Sequence, residues 1–125
     1  MTHLTPERFE QLVAEAIDSL PAPFAAKLQN VEVVIAHWPS RRQLRDADVS
    51  AGYTLLGLYE GVPLTERGGG YGMVLPDKIT IFQGPIEDQC ATEAEVQAQV
   101  RHTVIHEIAH FFGISDDQLR RMGTY

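Results

Sequence analysis

The sequence predicts one α+β domain with about three or four strands and a long helix near the C-terminal end as its central element. Its length of 125 residues matches the commonest size of a single domain, so we expect one core over residues 1–125. Apolar residues recur at helical spacing in an early and a late segment, and short runs of β-branched residues lie between them.

The first predicted helix begins at Thr5, which can cap it. Pro6 suits the first helical position, and Glu7 complements the helix dipole. The residues behind them recur at three- and four-residue spacing and form one apolar face: Phe9, Leu12, Val13, Ala16, Ile17 and Leu20. Pro21 and Pro23 end the helix, and a short helical turn is plausible over residues 24–28.

Three apolar runs predict the strands. Residues 31–37 (VEVVIAH) are rich in β-branched side chains and indicate a buried strand. Residues 55–60 (LLGLYE) and 79–82 (ITIF) are the other two candidates, and Gly84-Pro85 is expected to close the last one. The turn-rich stretch 61–77 is long, and loops of that length in compact domains are often functional.

The C-terminal third has the clearest helix signals. Thr92-x-x-Glu95 is a capping box, and it predicts a helix from about residue 93 to 112, closed by Gly113. An apolar stripe runs along that helix at four-residue spacing: Val96, Val100, Val104 and Ile108. Ser115-x-x-Gln118 is a second capping box and predicts a short final helix.

Two histidines on the long helix indicate a metal site. His106 and His110 are four residues apart, so both imidazoles lie on one face and can reach the same ion. Zinc favours imidazole nitrogen and carboxylate oxygen in tetrahedral geometry. Because Gly113 lets the chain turn back, Asp116 is well placed as the third ligand, with Asp117 as the alternative. A fourth position left to water would make the site catalytic.

Glu107 adjoins His106 but points about 100° around the helix. We therefore expect its carboxylate to reach a zinc-bound water from the side, as a general base, and not to ligate the ion. The competing interpretation is that His106 and His110 are two solvent-facing side chains of an ordinary helix. The caps that place the motif on a predicted helix, together with Gly113 and Asp116 at fixed positions, favour the metal site.

The motif His106-Glu107-x-x-His110-x-x-Gly113-x-x-Asp116 is similar to that of the metzincin proteases, with Asp in place of the third His. The chain as a whole resembles a small bacterial family of zincin-like metallopeptidases. The resemblance rests on residues 56–67, 76–85 and 104–117 and covers most of the chain after residue 30. It implies a minimal zincin-like fold, in which a small mixed sheet packs against the metal-binding helix, and it implies Zn²⁺ as the cofactor.

Composition excludes several other classes. Apolar residues make up 44% and charged residues 22%, as in ordinary globular domains. The formal net charge is −7, and the basic residues form no stripe, so we expect no nucleic-acid partner. No apolar segment approaches the length of a membrane span or signal peptide, which favours the cytoplasm and no membrane partner. The single cysteine, Cys90, is expected to be buried and inert.

Three functional hypotheses follow. The first is a zinc-dependent metallopeptidase acting on a peptide or protein, with Glu107 as the general base. The second is a non-catalytic zinc-binding or interaction module, and the third is an enzyme whose cleft a regulatory protein partner completes. Tyr59, Tyr71 and Tyr125 are candidates to stabilise an oxyanion, although packing is the simpler role for each. A solvent-facing role is likewise the simpler one for His102, one turn before His106.

Overall fold

A computed structural model describes residues 2–20, 28, 31–47, 55–61 and 77–121. These residues form five helices and three strands. In chain order they are α1 (Pro6–Asp18), β1 (Val31–Ala36), α2 (Arg41–Asp46), β2 (Gly57–Glu60), β3 (Asp77–Phe82), α3 (Gln83–Asp88), α4 (Glu93–Phe111) and α5 (Asp116–Arg121). The two prolines after the first helix, nearly all of the helical turn expected at 24–28 and most of the turn-rich stretch lie outside the described residues.

The three strands form one mixed sheet in the order β1-β3-β2. β1 pairs with β3 in parallel, with Val33 opposite Ile79, and β2 pairs with β3 in antiparallel, with Gly57 opposite Ile81. This arrangement confirms the predicted α+β class and the small mixed sheet. It also makes β2 an outer strand among the described strands, next to the helix that carries the histidines.

The prediction that residues 31–37 form a buried strand was right about the strand and wrong about its burial. Five of the six residues of β1 are only partly buried and the remaining one is exposed, because β1 lies at the edge of the described sheet. The central strand β3 is the buried one, with Ile79, Ile81 and Phe82 at most 1% exposed. β-branched residues indicate that a segment is extended, but the position of a strand within its sheet depends on tertiary pairing.

Two short helices were not predicted. Gly84 and Pro85 were expected to close a strand, but they lie within α3, which follows β3 directly. α2 begins with a complete capping box, in which Gln43 N donates to Ser40 Oγ (3.0 Å) and Ser40 N donates to Gln43 Oε1 (2.9 Å). That pattern is visible in the sequence as Ser40-x-x-Gln43 and could have predicted the helix.

The core lies between the sheet, α1 and α4. The predicted stripe of α4 is at most 4% exposed, and the apolar face of α1 packs with it. The shared cluster also includes residues of β3 and α3: Phe9, Leu12, Val13, Ala16, Ile79, Ile81, Ile86, Cys90, Val96, Val100, Val104 and Ile108. Since α4 is held on the sheet by this stripe, its opposite face is left for the histidines.

The predicted caps are largely confirmed. Arg8 N donates to Thr5 Oγ1 (3.1 Å) at the start of α1. Glu95 N donates to Thr92 Oγ1 (3.2 Å) at the start of α4, but the Glu95 carboxylate accepts from Ala91 N (3.0 Å), one residue before the cap. Within the described ranges, none of the helices combines the length and the apolar composition that crossing a membrane requires.

Candidate metal centre

The C-terminal end of α4 turns the chain back directly after His110. Gly113 has φ 82°, the left-handed conformation that glycine adopts without a Cβ penalty. Gly113 N donates to His110 O and Ile114 N donates to Ala109 O, both at 2.9 Å. These two bonds define a Schellman motif, so Gly113 closes the helix as predicted. The short helix α5 then begins at Asp116.

His106 and His110 lie side by side, as the four-residue spacing predicts. Their ring centroids are 4.6 Å apart with an interplanar angle of 76°, and both side chains are half-buried. His102 continues the same row one turn earlier, with its ring 6.3 Å from that of His106, and it is exposed. The two half-buried imidazoles are therefore close enough to bind one ion.

The Glu107 carboxylate joins this pair. The residue is only 6% exposed, and its Oε1 lies 3.4 Å from Nδ1 of His110. Each of the three side chains offers one ligand atom, and these atoms of His106, Glu107 and His110 lie within 4.8 Å of one another. Ligands of one tetrahedral zinc ion at about 2.0–2.1 Å lie about 3.4 Å apart, so small side-chain rotations would bring all three to a common ion. Two imidazoles and a carboxylate are a donor set that zinc favours, so these residues fit the metal.

The third ligand expected from sequence is not resolved by the geometry. Asp116 is the first residue of α5, and its side chain lies outside the described part, so the ligand role of Asp116 stays a prediction. Asp117, the alternative, is exposed. Glu107 was expected to reach a metal-bound water from the side and not to ligate the ion, and its flexible side chain places the carboxylate beside His110. It can therefore act either as a ligand or as a base.

A groove of about 470 Å³ runs between β2 and α4 and contains this cluster. Five consecutive residues, 55–59, line it. Residues 57–59 belong to β2 and residues 55–56 lead into it, so the groove follows this strand. The helix side is lined by Gln99, His102, Thr103, His106, Glu107 and His110.

The hydrogen-bond register of β2 turns some of its main-chain groups toward the side of the strand away from β3. Phe82 N donates to Leu56 O (3.0 Å), which makes Leu56 and Phe82 a hydrogen-bonded pair. Bonded and non-bonded pairs alternate along an antiparallel ladder, so the N–H and C=O of Gly57 point away from β3. Gly57 also lines the groove, as does Glu107.

Tyr59 has a packing role, which the sequence favoured. Its hydroxyl donates to Asp77 Oδ2 (3.1 Å), and its ring meets Phe111 edge to face at 5.9 Å. Tyr71 and Tyr125 lie outside the described residues. Cys90 is buried as expected, and burial, assisted by Glu95, raises the pKa of its thiol, which keeps it protonated and unreactive.

Sequence reasoning missed Gly57 as a site residue. It is buried in β2 and packs directly against α4, next to Thr103 and Glu107. An isolated glycine inside a strand signals a close approach of backbone to a neighbour, and this signal was available in the run LLGLYE.

Comparisons with known proteins identify the family of this chain. A model of the zincin-like metallopeptidase family matches residues 28–124, and the chain belongs to that family. Among solved structures, it is similar to a conserved hypothetical protein from Thermus thermophilus. The two share 25% sequence identity with a TM-score of 0.60, over 87% of this chain and 94% of the other. No curated protein matches the sequence.

Proposed function

We propose that the protein is a zinc-dependent metallopeptidase that cleaves a peptide bond in the groove between β2 and α4. The observation that carries this proposal is the cluster of His106, Glu107 and His110 inside that groove. Membership in the zincin-like metallopeptidase family supports the same function.

In this proposal His106 and His110 hold the ion and Asp116 completes the ligand set. Bound zinc would polarise the scissile carbonyl and lower the pKa of the attacking water. Glu107 accepts a proton from that water and returns it to the leaving amine. Its burial beside His110 keeps the carboxylate close to the reacting atoms, which the geometry of proton transfer requires.

The substrate would bind as an extended strand along the edge of β2. The outward N–H and C=O of Gly57 can pair with the main chain of a peptide, and main-chain pairing accepts many sequences. The described residues that line the groove include no Lys or Arg, and in this proposal the bound ion would supply positive charge there. An unstructured peptide or protein segment is therefore the expected substrate.

The alternative is a non-catalytic zinc-binding module. It is favoured by the position of the Glu107 carboxylate within the ligand cluster, because a glutamate that coordinates the ion cannot also serve as its base. The two functions differ in what Glu107 does, so a conservative change at this residue separates them.

The first prediction tests the metal and the base together. Freshly purified protein should contain about one zinc per chain, and a His106→Ala, His110→Ala double variant should contain none. Glu107→Gln should keep zinc and fold but lose about a hundred- to ten-thousand-fold in turnover, since an amide cannot accept the proton. Elemental analysis and mass-spectrometric detection of cleavage in a library of unstructured peptides measure both quantities.

Other outcomes have definite meanings. Full zinc occupancy in the double variant would refute the metal site. Loss of zinc in Glu107→Gln would make Glu107 a ligand and favour the binding module. Asp116→Ala should weaken zinc binding while Asp117→Ala should not. Zinc-loaded protein that cleaves no peptide alone, but does so with a protein from its own cell extract, would support the partner-completed enzyme.

A further inference from the structure

The backbone of β2 approaches the metal-binding helix closely at Gly57. A Cβ placed on Gly57 would lie 2.6 Å from Thr103 Cγ2, 3.1 Å from Glu107 Cγ and 3.4 Å from the backbone oxygen of Thr80. The first distance is a steric clash and the second is a tight contact, so the backbone of β2 touches these two side chains directly. Glycine is the residue that permits this separation.

Thr103 has little freedom to move away. It is 4% exposed and β-branched, so packing and the helix backbone restrict its rotamers. Its hydroxyl accepts a hydrogen bond from Gln99 Nε2 at 3.2 Å. On the other side, β2 is held by its ladder to β3, and α4 is held by its buried apolar stripe. The spacing between strand and helix is therefore fixed from both sides.

Glu107 is the neighbour with the fewest constraints of its own. Among the described residues its one polar partner is His110, so hydrogen bonds from the protein do little to fix its carboxylate. Its Cγ lies against Gly57, and Thr103, one helical turn earlier, lies against the same glycine. The contact of this Cγ with Gly57 therefore limits where the side chain can lie.

We propose that Gly57 and Thr103 are positioning residues that hold the Glu107 carboxylate toward His110 and the reacting atoms. This inference rests on the proposed function, in which Glu107 transfers the proton. Proton transfer requires a base within about 2.6–3.2 Å of the proton-bearing atom, and a misplacement of about 1 Å can cost about a hundred-fold in rate. Without these contacts the side chain could rotate out of the groove.

Gly57→Ala tests the proposal by inserting one methyl group into the contact. We expect kcat to fall about ten- to hundred-fold, with zinc affinity close to the wild type, because the ion is bound by other groups. Adding Thr103→Ser removes the methyl group that clashes most closely. The double variant Gly57→Ala, Thr103→Ser should therefore recover a large part of the lost kcat, and thermal unfolding checks that each variant is folded.

A second measurement does not depend on turnover. Acetohydroxamate chelates a metal ion through two oxygens and releases its hydroxyl proton to a neighbouring base, so its affinity reports on a correctly placed Glu107. With Co²⁺ in the site, visible absorption follows both metal uptake and hydroxamate binding. Gly57→Ala should weaken acetohydroxamate binding by a factor close to that of Glu107→Gln, and Thr103→Ser should restore it in the Gly57→Ala background.

The outcomes separate this inference from the function on which it rests. A wild-type protein that takes up no metal would overturn both. If the wild type takes up metal but Gly57→Ala leaves both hydroxamate binding and kcat unchanged, only the positioning role would be overturned. A Gly57→Ala defect that Thr103→Ser does not relieve, in a folded and metal-loaded protein, would also overturn it, because the effect would then not pass through this contact.

Discussion

Glu87 and Glu107 offer a direct comparison between two regions of the molecule. Both are glutamates on helices, Glu87 on α3 and Glu107 on α4, and they are 3% and 6% exposed. A histidine lies near each carboxylate, with His3 Nδ1 at 3.7 Å from Glu87 and His110 Nδ1 at 3.4 Å from Glu107. Burial and residue type alone would assign them the same role.

Their hydrogen bonds differ. Glu87 Oε2 accepts from Leu4 N (2.7 Å) and from Gln83 Nε2 (3.0 Å), and the same Gln83 nitrogen donates to Leu4 O (3.1 Å). Thr2 N also donates to Cys90 O at 3.1 Å, beside this network. Glu87 thus fixes the segment before α1 against α3.

Glu107 lacks such donors in the described part of the chain, apart from His110, and it lines the groove. A buried carboxylate is costly unless hydrogen bonds or an ion compensate it. The fold itself compensates Glu87, whereas Glu107 would gain its compensation from a bound ion or from solvent in the groove. Residues that a fold leaves incompletely satisfied are characteristic of functional sites.

The largest stability effect should therefore fall on Glu87. Glu87→Ala removes a charged acceptor from the buried Gln83 side chain and from the partly buried Leu4 N–H, and it should lower the free energy of unfolding by about 2–3 kcal/mol. Glu107→Gln in metal-free protein should change it by no more than about 0.5 kcal/mol, since no donor network is lost. Urea denaturation of the two variants under the same conditions measures both values. A greater loss for Glu107→Gln would reverse the assignment of the structural and functional carboxylates.

Removal of residues 2–4 tests whether Glu87 acts through the N-terminal segment. If the Leu4 main chain is its chief partner, deleting the segment and replacing Glu87 by Ala should not be additive. We expect a coupling free energy of about 1–2 kcal/mol in the double-mutant cycle, because each change removes the same hydrogen bond. Urea unfolding of the four proteins supplies the cycle, and additive effects would show that Glu87 stabilises α3 independently of the segment.

Much of the fold could be predicted from local signals. The caps at Thr5, Thr92 and Ser115 and the glycine closure at Gly113 depend on residues three or four apart, and all appear where the sequence placed them. The strands were also located from a local signal, namely short runs of apolar and β-branched residues. The edge position of β1 could not be predicted, because it depends on which strands pair, and pairing is a property of the whole chain.

In the site, too, local features could be predicted from the sequence and long-range contacts could not. The closeness of His106 and His110 follows from helix geometry and was predicted. The contact of Gly57 with Glu107 joins residues fifty positions apart in sequence, so its local signal, a glycine inside a strand, could indicate a close approach but not the partner. The network around Glu87 was missed for the same reason, since it links α3 to the start of the chain.

A third carboxylate, Glu93, should have the smallest effect of the three because it is exposed. Arg8 Nε and Nη2 donate to its two oxygens, each at 3.2 Å, and join the start of α1 to the start of α4. These hydrogen bonds, more than the charge of Arg8, hold the pKa of Glu93 below its ordinary value of 4.5.

A carboxylate whose pKa is lower in the folded state stabilises the fold above its unfolded pKa, and this contribution is lost as pH falls through the folded pKa. The wild type should therefore be slightly more stable than Glu93→Gln at about pH 7, and the difference should vanish once the pH falls below the folded pKa of Glu93. Arg8→Gln should show the same pH dependence, and thermal unfolding of the three proteins at low ionic strength measures it. A difference that persists undiminished in acid would show that the pair contributes through packing, since neither the hydrogen-bonded charge nor the dipole of α4 could then explain it.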